Sequence, residues 1–523
     1  MTPTPTFTRI TDYLPWLASV CPDRDALILG EDRRTFGAVQ VAVDDLARAL
    51  LAAGVRKGDR VATLQTPHPD YLISFLATAS IGAIWVGLNP RYQLAEMRHV
   101  MTDAQPAVLL TRTRIDARDY EPDLQALAQA APMREIVAFA GDPPLAGVSQ
   151  MQDFIERGRS ISDDALAAAR AAVQGDDGCL IVYTSGSTGA PKGALLGHQA
   201  IVAFCLSQNR VWPITPLRTI NYFPINHIGC VIDISLPCLL AQGSLFFMEQ
   251  FDPEGGLALI EREKITLWGS VPSVFEMQLG LPTFDRYDLS SVQMIVWEGA
   301  AMNVDLIERL RVVQPLMATN YSMTETLGLT AVEPTDDLEV LSGSVGSAFP
   351  EVELRLVDAE GRDVPDGEPG EVLARSPFNL IGYWNRPDAT SEAFTPDGFF
   401  RTGDLALRRA DGRYRIIGRL KEMYKSGGYN VYPREVETVI EAHPLVAQAA
   451  VVSAPDPLWQ EIGVAFVQPA GPLDLADLES HCRAHLANYK IPKRFVLLEQ
   501  MPLLPIGKID KVTLAKQARD AAS

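Results

Sequence analysis

Apolar residues recur at helical spacing through RTFGAVQVAVDDLARALLAAG (34–54), a pattern that predicts an amphipathic helix closed by Gly54 as a C-cap residue. Short apolar blocks follow, RVATLQT at 60–66 and AVLLTR at 107–112, and both read as buried strands. Between Asp70 and Arg91 no residue is charged. That length approaches a membrane span, but Ser74, Thr78, Ser80 and Gly82 interrupt it and Asn89-Pro90 closes it. The stretch is read instead as an apolar helix near 70–82 feeding a buried strand, IWVGLN. Loop signals at 141–147 (GDPPLAG) and 174–178 (QGDDG) punctuate the series. This alternation predicts an α/β sheet with crossover helices.

From about residue 343 the pattern shifts to short alternating runs, VELRLVD, GEVLAR and RYRIIGR, split by EGR, DGEPGE and ADGR. These predict hairpins and a small β-rich subdomain over about 343–418. After Gly418 a helix (REVETVIEAHP), two strands (QAAVVSAP, GVAFVQP) and a second helix (LADLESHCRAHLANYKIP) predict a small α+β unit. The fold class is therefore α/β: an N-terminal domain of α/β sheet subdomains and the β-rich subdomain (1–418), then a C-terminal domain (419–523), with the boundary at Gly418–Lys421.

Composition is that of a globular protein, and a net charge of −19 argues against a chain built to hold nucleic acid or anionic lipid. The balance reverses locally: residues 401–434 hold nine Lys/Arg and three Asp/Glu. Such a focus of positive charge suits a small polyanion. Six cysteines with no C-x-x-C pair read as reduced thiols of a cytoplasmic protein, and the N-terminus has no signal-peptide pattern. His481 and His485 share a helix face with no third metal ligand apparent, and read as solvated.

The sharpest chemical feature is CLIVYTSGSTGAPKGALLGH (179–198). An apolar strand runs into a loop whose glycines, Gly186, Gly189 and Gly193, let backbone amides approach an anion closely. Thr184, Ser185, Ser187 and Thr188 add hydroxyl donors, and Lys192 adds a point charge. The loop suits a triphosphate, yet it fits neither G-x-x-x-x-G-K-[ST] nor G-x-G-x-x-G.

With this loop, six further motifs appear in order: NYFPINHIG (221–229), WEGAAM (297–302), NYSMTET (320–326), FRTGDL (400–405), GRLKEMYKSGGYNVYPREVE (418–437) and LPIGKIDK (504–511). Together they resemble the adenylate-forming superfamily of acyl-CoA synthetases, firefly-luciferase-like enzymes and peptide-synthetase adenylation domains, and are most like a carboxylate–CoA ligase. The first third of the chain agrees in texture only.

The resemblance implies a role for each matching residue. Tyr321 would stack on adenine beside Asn320, with Gly299, Ala300 and Ala301 leaving room for the base. Thr324 and Glu325 would meet the phosphates, and Thr184 and Glu325 would hold Mg²⁺. Asp404 would accept the ribose hydroxyls beside Arg419. Lys508 would meet the carboxylate and α-phosphate as negative charge crowds there. His227 and Val231 would line the acyl channel. Lys421 would be a hinge about which a mobile C-terminal domain turns, presenting Lys425, Ser426, Gly427, Gly428 and Tyr429 to CoA.

The implied reaction joins a carboxylic acid to CoA through an acyl-adenylate, using ATP, CoA and Mg²⁺. The partners are small molecules, without nucleic acid or a membrane span, and a homodimer is compatible with this. Glu298, Ser322 and Asn226 depart from the usual pattern near the acyl pocket. The apolar texture of 227–237 and 267–280 favours a hydrophobic medium- or long-chain, cyclic or aryl acid. Two alternatives stay open: transfer to a separate carrier protein, since only 15 residues follow Lys508, and a non-catalytic acyl- or nucleotide-binding relative.

Overall fold

The computed structural model describes residues 3–184, 191–426, 429–456, 458–504 and 508–520. Among these, two large sheets organise the first part of the chain. One runs in spatial order through Gly382–Tyr383, Lys192–Gly197, Gly178–Thr184, Ile84–Leu88, Arg60–Leu64, Val108–Thr111, Glu135–Ala138 and Ser149–Gln150. It is parallel from Gly178–Thr184 onward. The other runs through Ser347–Ala348, Leu327–Ala331, Met317–Met323, Met294–Trp297, Leu267–Ser270, Arg218–Asn221, Ser244–Phe247, Asp25–Leu29 and Asp32–Thr35. Its strands are parallel from Met317–Met323 to Asp25–Leu29.

The uncharged stretch owes its composition to its place between these sheets. Helix Pro69–Ser80 packs on strands of both, and all its residues but Asp70 are buried. A helix with no solvent face is apolar all round without spanning a bilayer. Ser74 on this helix joins an internal network, in which Trp85 Nε1 donates to Thr63 Oγ1 (2.8 Å) and Thr63 Oγ1 meets Ser74 Oγ (3.1 Å), while Thr78 Oγ1 is left without a partner. No helix among the described residues is long and apolar enough to cross a membrane. The amphipathic segment forms helix Phe36–Ala52, with Thr35 capping its start and Gly54 at φ +84° just past its end.

The alternating runs near 343–418 form an antiparallel sheet in the order Glu353–Val357, Gly370–Arg375, Phe400–Arg408, Tyr414–Arg419. Within this region Gly382–Tyr383 instead joins the first large sheet, pairing Ala194 with Tyr383. The C-terminal sheet holds Tyr429–Val431, Tyr424–Ser426, Gln460–Pro469 and Val446–Asp456, with Arg494–Leu497 beside Gln460–Pro469. Helix Leu475–His485 is shorter than the run to Pro492 suggested, because Leu486 turns extended. His481 is not freely solvated: its ring packs between His443 (centroids 5.2 Å) and His485 (4.6 Å).

The last helix, Lys511–Asp520, is tied back by its first residue. Lys511 Nζ meets Glu422 Oε2 and Glu437 Oε1, each at 2.8 Å. Glu437 is buried and also faces Arg434 (3.5 Å), which binds Glu441 (2.9 Å).

Candidate functional site

The second large sheet sends its parallel strands toward one end, and several of the expected residues lie just past their carboxyl ends, where open α/β sheets place ligands. His227 follows Arg218–Asn221, Glu298 follows Met294–Trp297, and Asn320 lies within Met317–Met323. Two hydrogen bonds hold these ends together: Glu298 N–H donates to Ser270 O (3.1 Å) and Thr319 Oγ1 to Trp297 O (2.8 Å).

His227 Nδ1 accepts the Gly229 N–H (3.0 Å). Burial, then the nearby Lys508 charge, pull its pKa down to about 4, so the ring is neutral at pH 7 with its proton on Nε2. Gly229 opens a π-helical segment, Gly229–Ser235, which carries Val231 and Asp233. Asn221 Nδ2 donates to Cys230 O (2.9 Å) and Ser235 Oγ (2.8 Å), and Gln208 Nε2 donates to Asp233 O (2.8 Å), fixing the turn. The Asp233 and Glu298 carboxyls face each other closely enough for each to shift the other's ionisation, and Asn320 Nδ2 donates to Glu298 Oε1 (2.8 Å). Glu298 therefore points into the protein. Burial, then the facing Asp233 charge, push Glu298 well above the usual carboxylate range, and burial takes Asp233 to about 7.

Asp404 and Arg419 are register partners on antiparallel strands, and their side chains pair at 3.2 Å. Tyr321 OH donates to the other Asp404 oxygen at 2.6 Å, so ribose hydroxyls would share a carboxylate that is already oriented. Asp404 is buried, and desolvation raises its pKa against the lowering by Arg419.

A third group gathers around Glu325. Its Oε1 accepts from Thr184 Oγ1 (3.3 Å) and Tyr383 OH (3.1 Å), and the Lys192 ammonium sits 5.1 Å from the Tyr383 ring centroid. Thr324 and Glu325 are both buried. Thr184 and Glu325 thus offer one hydroxyl and one carboxylate, the one or two protein oxygens that Mg²⁺ takes when phosphates supply the rest. Among the described residues no group of three His, Cys, Asp or Glu could cage a metal alone. The loop residues Ser185, Gly186, Ser187, Thr188 and Gly189 lie outside the described residues, as do Gly427 and Gly428.

Lys508 reaches across from the C-terminal part of the chain. Its Cε lies 3.3 Å, and its Nζ 3.9 Å, from where a Cβ on Gly299 would stand. Gly299 has φ +82°, so a side chain there would be strained and would press on the lysine stem. Leu504 N–H donates to Lys508 O (2.7 Å) and Leu503 bridges Ile509, which fixes the approach. Lys508 is exposed in overall surface, yet its ammonium is enclosed enough for desolvation to lower its pKa. Arg419 lowers it further, while Asp404, Asp233 and Glu298 raise it. Lys508 is thus the point at which the Asp404–Arg419 pair and the Asp233–Glu298 pair meet electrostatically.

Ala300 and Ala301 lie exposed in the loop after Gly299, and Ser322 is partly buried on Met317–Met323. Lys425 and Ser426 sit on the C-terminal sheet, with Ser426 buried. Tyr429 is 61% exposed and stacks on Tyr489 at 4.6 Å. Lys421 is exposed in the turn after Tyr414–Arg419. Sequence reasoning missed Asp233 and Tyr383. The one visible signal for Asp233 is a lone charge inside the apolar run CVIDISLP. Tyr383 reaches Glu325 only through its pairing with the distant strand Lys192–Gly197.

The family model described as AMP-binding enzyme matches residues 14–384, and that of the AMP-binding enzyme C-terminal domain matches 435–508. A feruloyl-CoA synthase of an Amycolatopsis species is 34% identical over 505 residues, covering 94% of this chain and 96% of the relative. An indoleacetate–CoA ligase of Aromatoleum aromaticum is 32% identical over 507 residues, covering 96% and 97%. Among solved structures, the amide bond synthetase McbA from Marinactinospora thermotolerans superposes with TM-score 0.85 at 27% identity, covering 97% of this chain and 99% of that one.

Proposed function

Because the chain belongs to the family of AMP-binding enzymes, we propose that it is an ATP-dependent acyl-CoA ligase, converting a carboxylic acid, ATP and CoA to acyl-CoA, AMP and pyrophosphate. The observation that carries this reading furthest is Lys508 seated against Gly299, within the electrostatic reach of Asp404, Arg419 and the Glu298 wall.

In the first half-reaction a carboxylate oxygen attacks the α-phosphorus. The new C–O–P bond forms as the bond to the β-phosphate bridging oxygen breaks, and pyrophosphate leaves. No side chain has to act as a nucleophile, so positioning and charge stabilisation suffice. Asp404 and Arg419 orient the ribose, Tyr321 lies beside the base, and Lys192 and Lys508 face the phosphates. Mg²⁺, when bound, supplies charge neutralisation at the phosphates, with Thr184 and Glu325 as the residues that would hold it. Tyr383 positions the Glu325 carboxylate. Neutral His227, its Nδ1 tied to Gly229, borders the acyl site without adding a second positive charge beside Lys508.

In the second half-reaction the C-terminal domain turns about Lys421, withdrawing Lys508 and presenting the 425–429 segment. The CoA thiolate attacks the acyl carbon and AMP leaves with the bonding electrons and the ester oxygen. The test is acid-dependent release of pyrophosphate, followed by AMP and CoA thioester in equal amounts. Pyrophosphate release unaccompanied by thioester would favour an acceptor other than CoA.

A further inference from the structure

The apolar texture of 227–237 hides one carboxyl group, Asp233, and the fold turns it inward. Asp233 is 7% exposed and Asn320 is 6% exposed. Asp233 Oδ1 and Asn320 Oδ1 each lack a hydrogen-bond partner. Both residues face Glu298: Asp233 with its carboxyl, Asn320 through its Nδ2 (2.8 Å). Glu298 immediately precedes Gly299, where Lys508 arrives, and a Cβ on Gly229 would stand 3.1 Å from His227 Nδ1 and 3.9 Å from Asp233 Oδ2. The Asp233 carboxyl therefore lies close to His227, and its partner Glu298 borders the place where Lys508 arrives.

The two atoms on Asp233 and Asn320 that lack any partner are both acceptor oxygens. Leaving a buried acceptor unmade is costly, and native proteins rarely do so without a reason. A plain hydrocarbon body would seal these oxygens off unpaired, whereas an N–H or O–H group would satisfy them. The pairing of the two carboxyls also needs one proton between them, so the cluster carries about one negative charge rather than two. The burial-raised pKa values of Asp233 and Glu298 agree with that sharing.

We propose that Asp233, Glu298 and Asn320 form a donor-reading patch that selects carboxylic acids bearing an N–H or O–H group on the acyl body, a hydroxyl, amine or ring N–H, over donor-free acids of the same size. This rests on the acyl-CoA ligase reading. The patch determines specificity; it takes no part in bond making. The helical turn Gly229–Ser235 aims Asp233, because π-type turns shift side chains off the ordinary helical face.

The experiment compares matched acids by kcat/KM for pyrophosphate release. The panel pairs phenylpropanoate with hydroxyphenyl- and aminophenylpropanoate, in all ring-position isomers, and octanoate with ω-hydroxyoctanoate. The best donor-bearing acid is expected to exceed its donor-free partner by at least about tenfold. In Asp233→Ala the same ratio is expected to fall to within about threefold, mostly through loss on the donor-bearing acid. Glu298→Gln, which keeps the volume, is expected to narrow the ratio too and serves if Asp233→Ala does not fold. Equal kcat/KM across matched acids in the wild-type chain, or a ratio unchanged in a folded variant, overturns the inference and leaves the ligase reading standing. No pyrophosphate release with any acid overturns the ligase reading and the inference with it.

Discussion

At the scale of single residues, Lys508 bears on the proposed chemistry and His198 on how stability depends on pH. Lys508 is the proposed partner of the negative charge that builds up as the adenylate forms, and its stem lies 3.3 Å from where a Cβ on Gly299 would stand. Lys508→Ala is expected to slow acyl-adenylate formation by about 10²–10³. Thioester formation from supplied acyl-AMP should stay close to wild type, since Lys508 has left by then. Single-turnover rates for each half-reaction check this, and equal losses in both would remove the division of labour. His198 makes a separate point about stability. It is fully buried, both ring nitrogens lack partners, and desolvation brings its pKa to about 4 against the raising effect of Asp177 and with the lowering effects of Arg9 and Lys57. Its folded pKa lies below the ordinary value, so the unfolded chain binds the proton first as pH falls. The neutral form's stability is complete above about pH 6.5 and is lost as pH drops toward 4. His198→Leu is expected to recover on the order of 2 kcal/mol of the loss between pH 7 and 4.5, read from denaturant melts at both pH values. His227 carries a similar shift and keeps its own share of the slope.

At the scale of elements, the site is assembled from strand ends and one register. The Asp404–Arg419 pair was legible because RTGD and GR are local motifs, and the antiparallel register then makes them neighbours. Lys192 and Glu325 were legible for the same reason. Tyr383 was not: its role depends on two residues pairing across almost two hundred positions, which no local pattern encodes. Asp233 escaped because one charge in an apolar run reads as a break in periodicity, whereas the π-helical turn makes it an inward-facing group. The turn after Arg419 bears the next expectation. Lys421→Pro should impair thioester formation more than adenylation, because a hinge must change φ and proline holds φ near −65°. The two half-reactions, timed separately, decide it. If thioester formation keeps pace with wild type, the rotation is centred elsewhere.

At the scale of the whole molecule, the tie between Lys511 and the Glu422–Glu437 pair acquires a meaning beyond stability. Glu422 directly follows the proposed pivot, and Lys511 stands three residues past Lys508. Lys508 is thus leashed, three residues away, to Glu422 and Glu437. On the proposed mechanism, withdrawing it from the adenylate and carrying the thiol-facing strands inward would be a single stroke, and that stroke would work as a clock. Bound pyrophosphate would attract Lys508 and keep the mixed anhydride from thiol, and its departure would remove that attraction. Ordered turnover, with pyrophosphate out before CoA goes in, would then follow from where Lys511 is fastened.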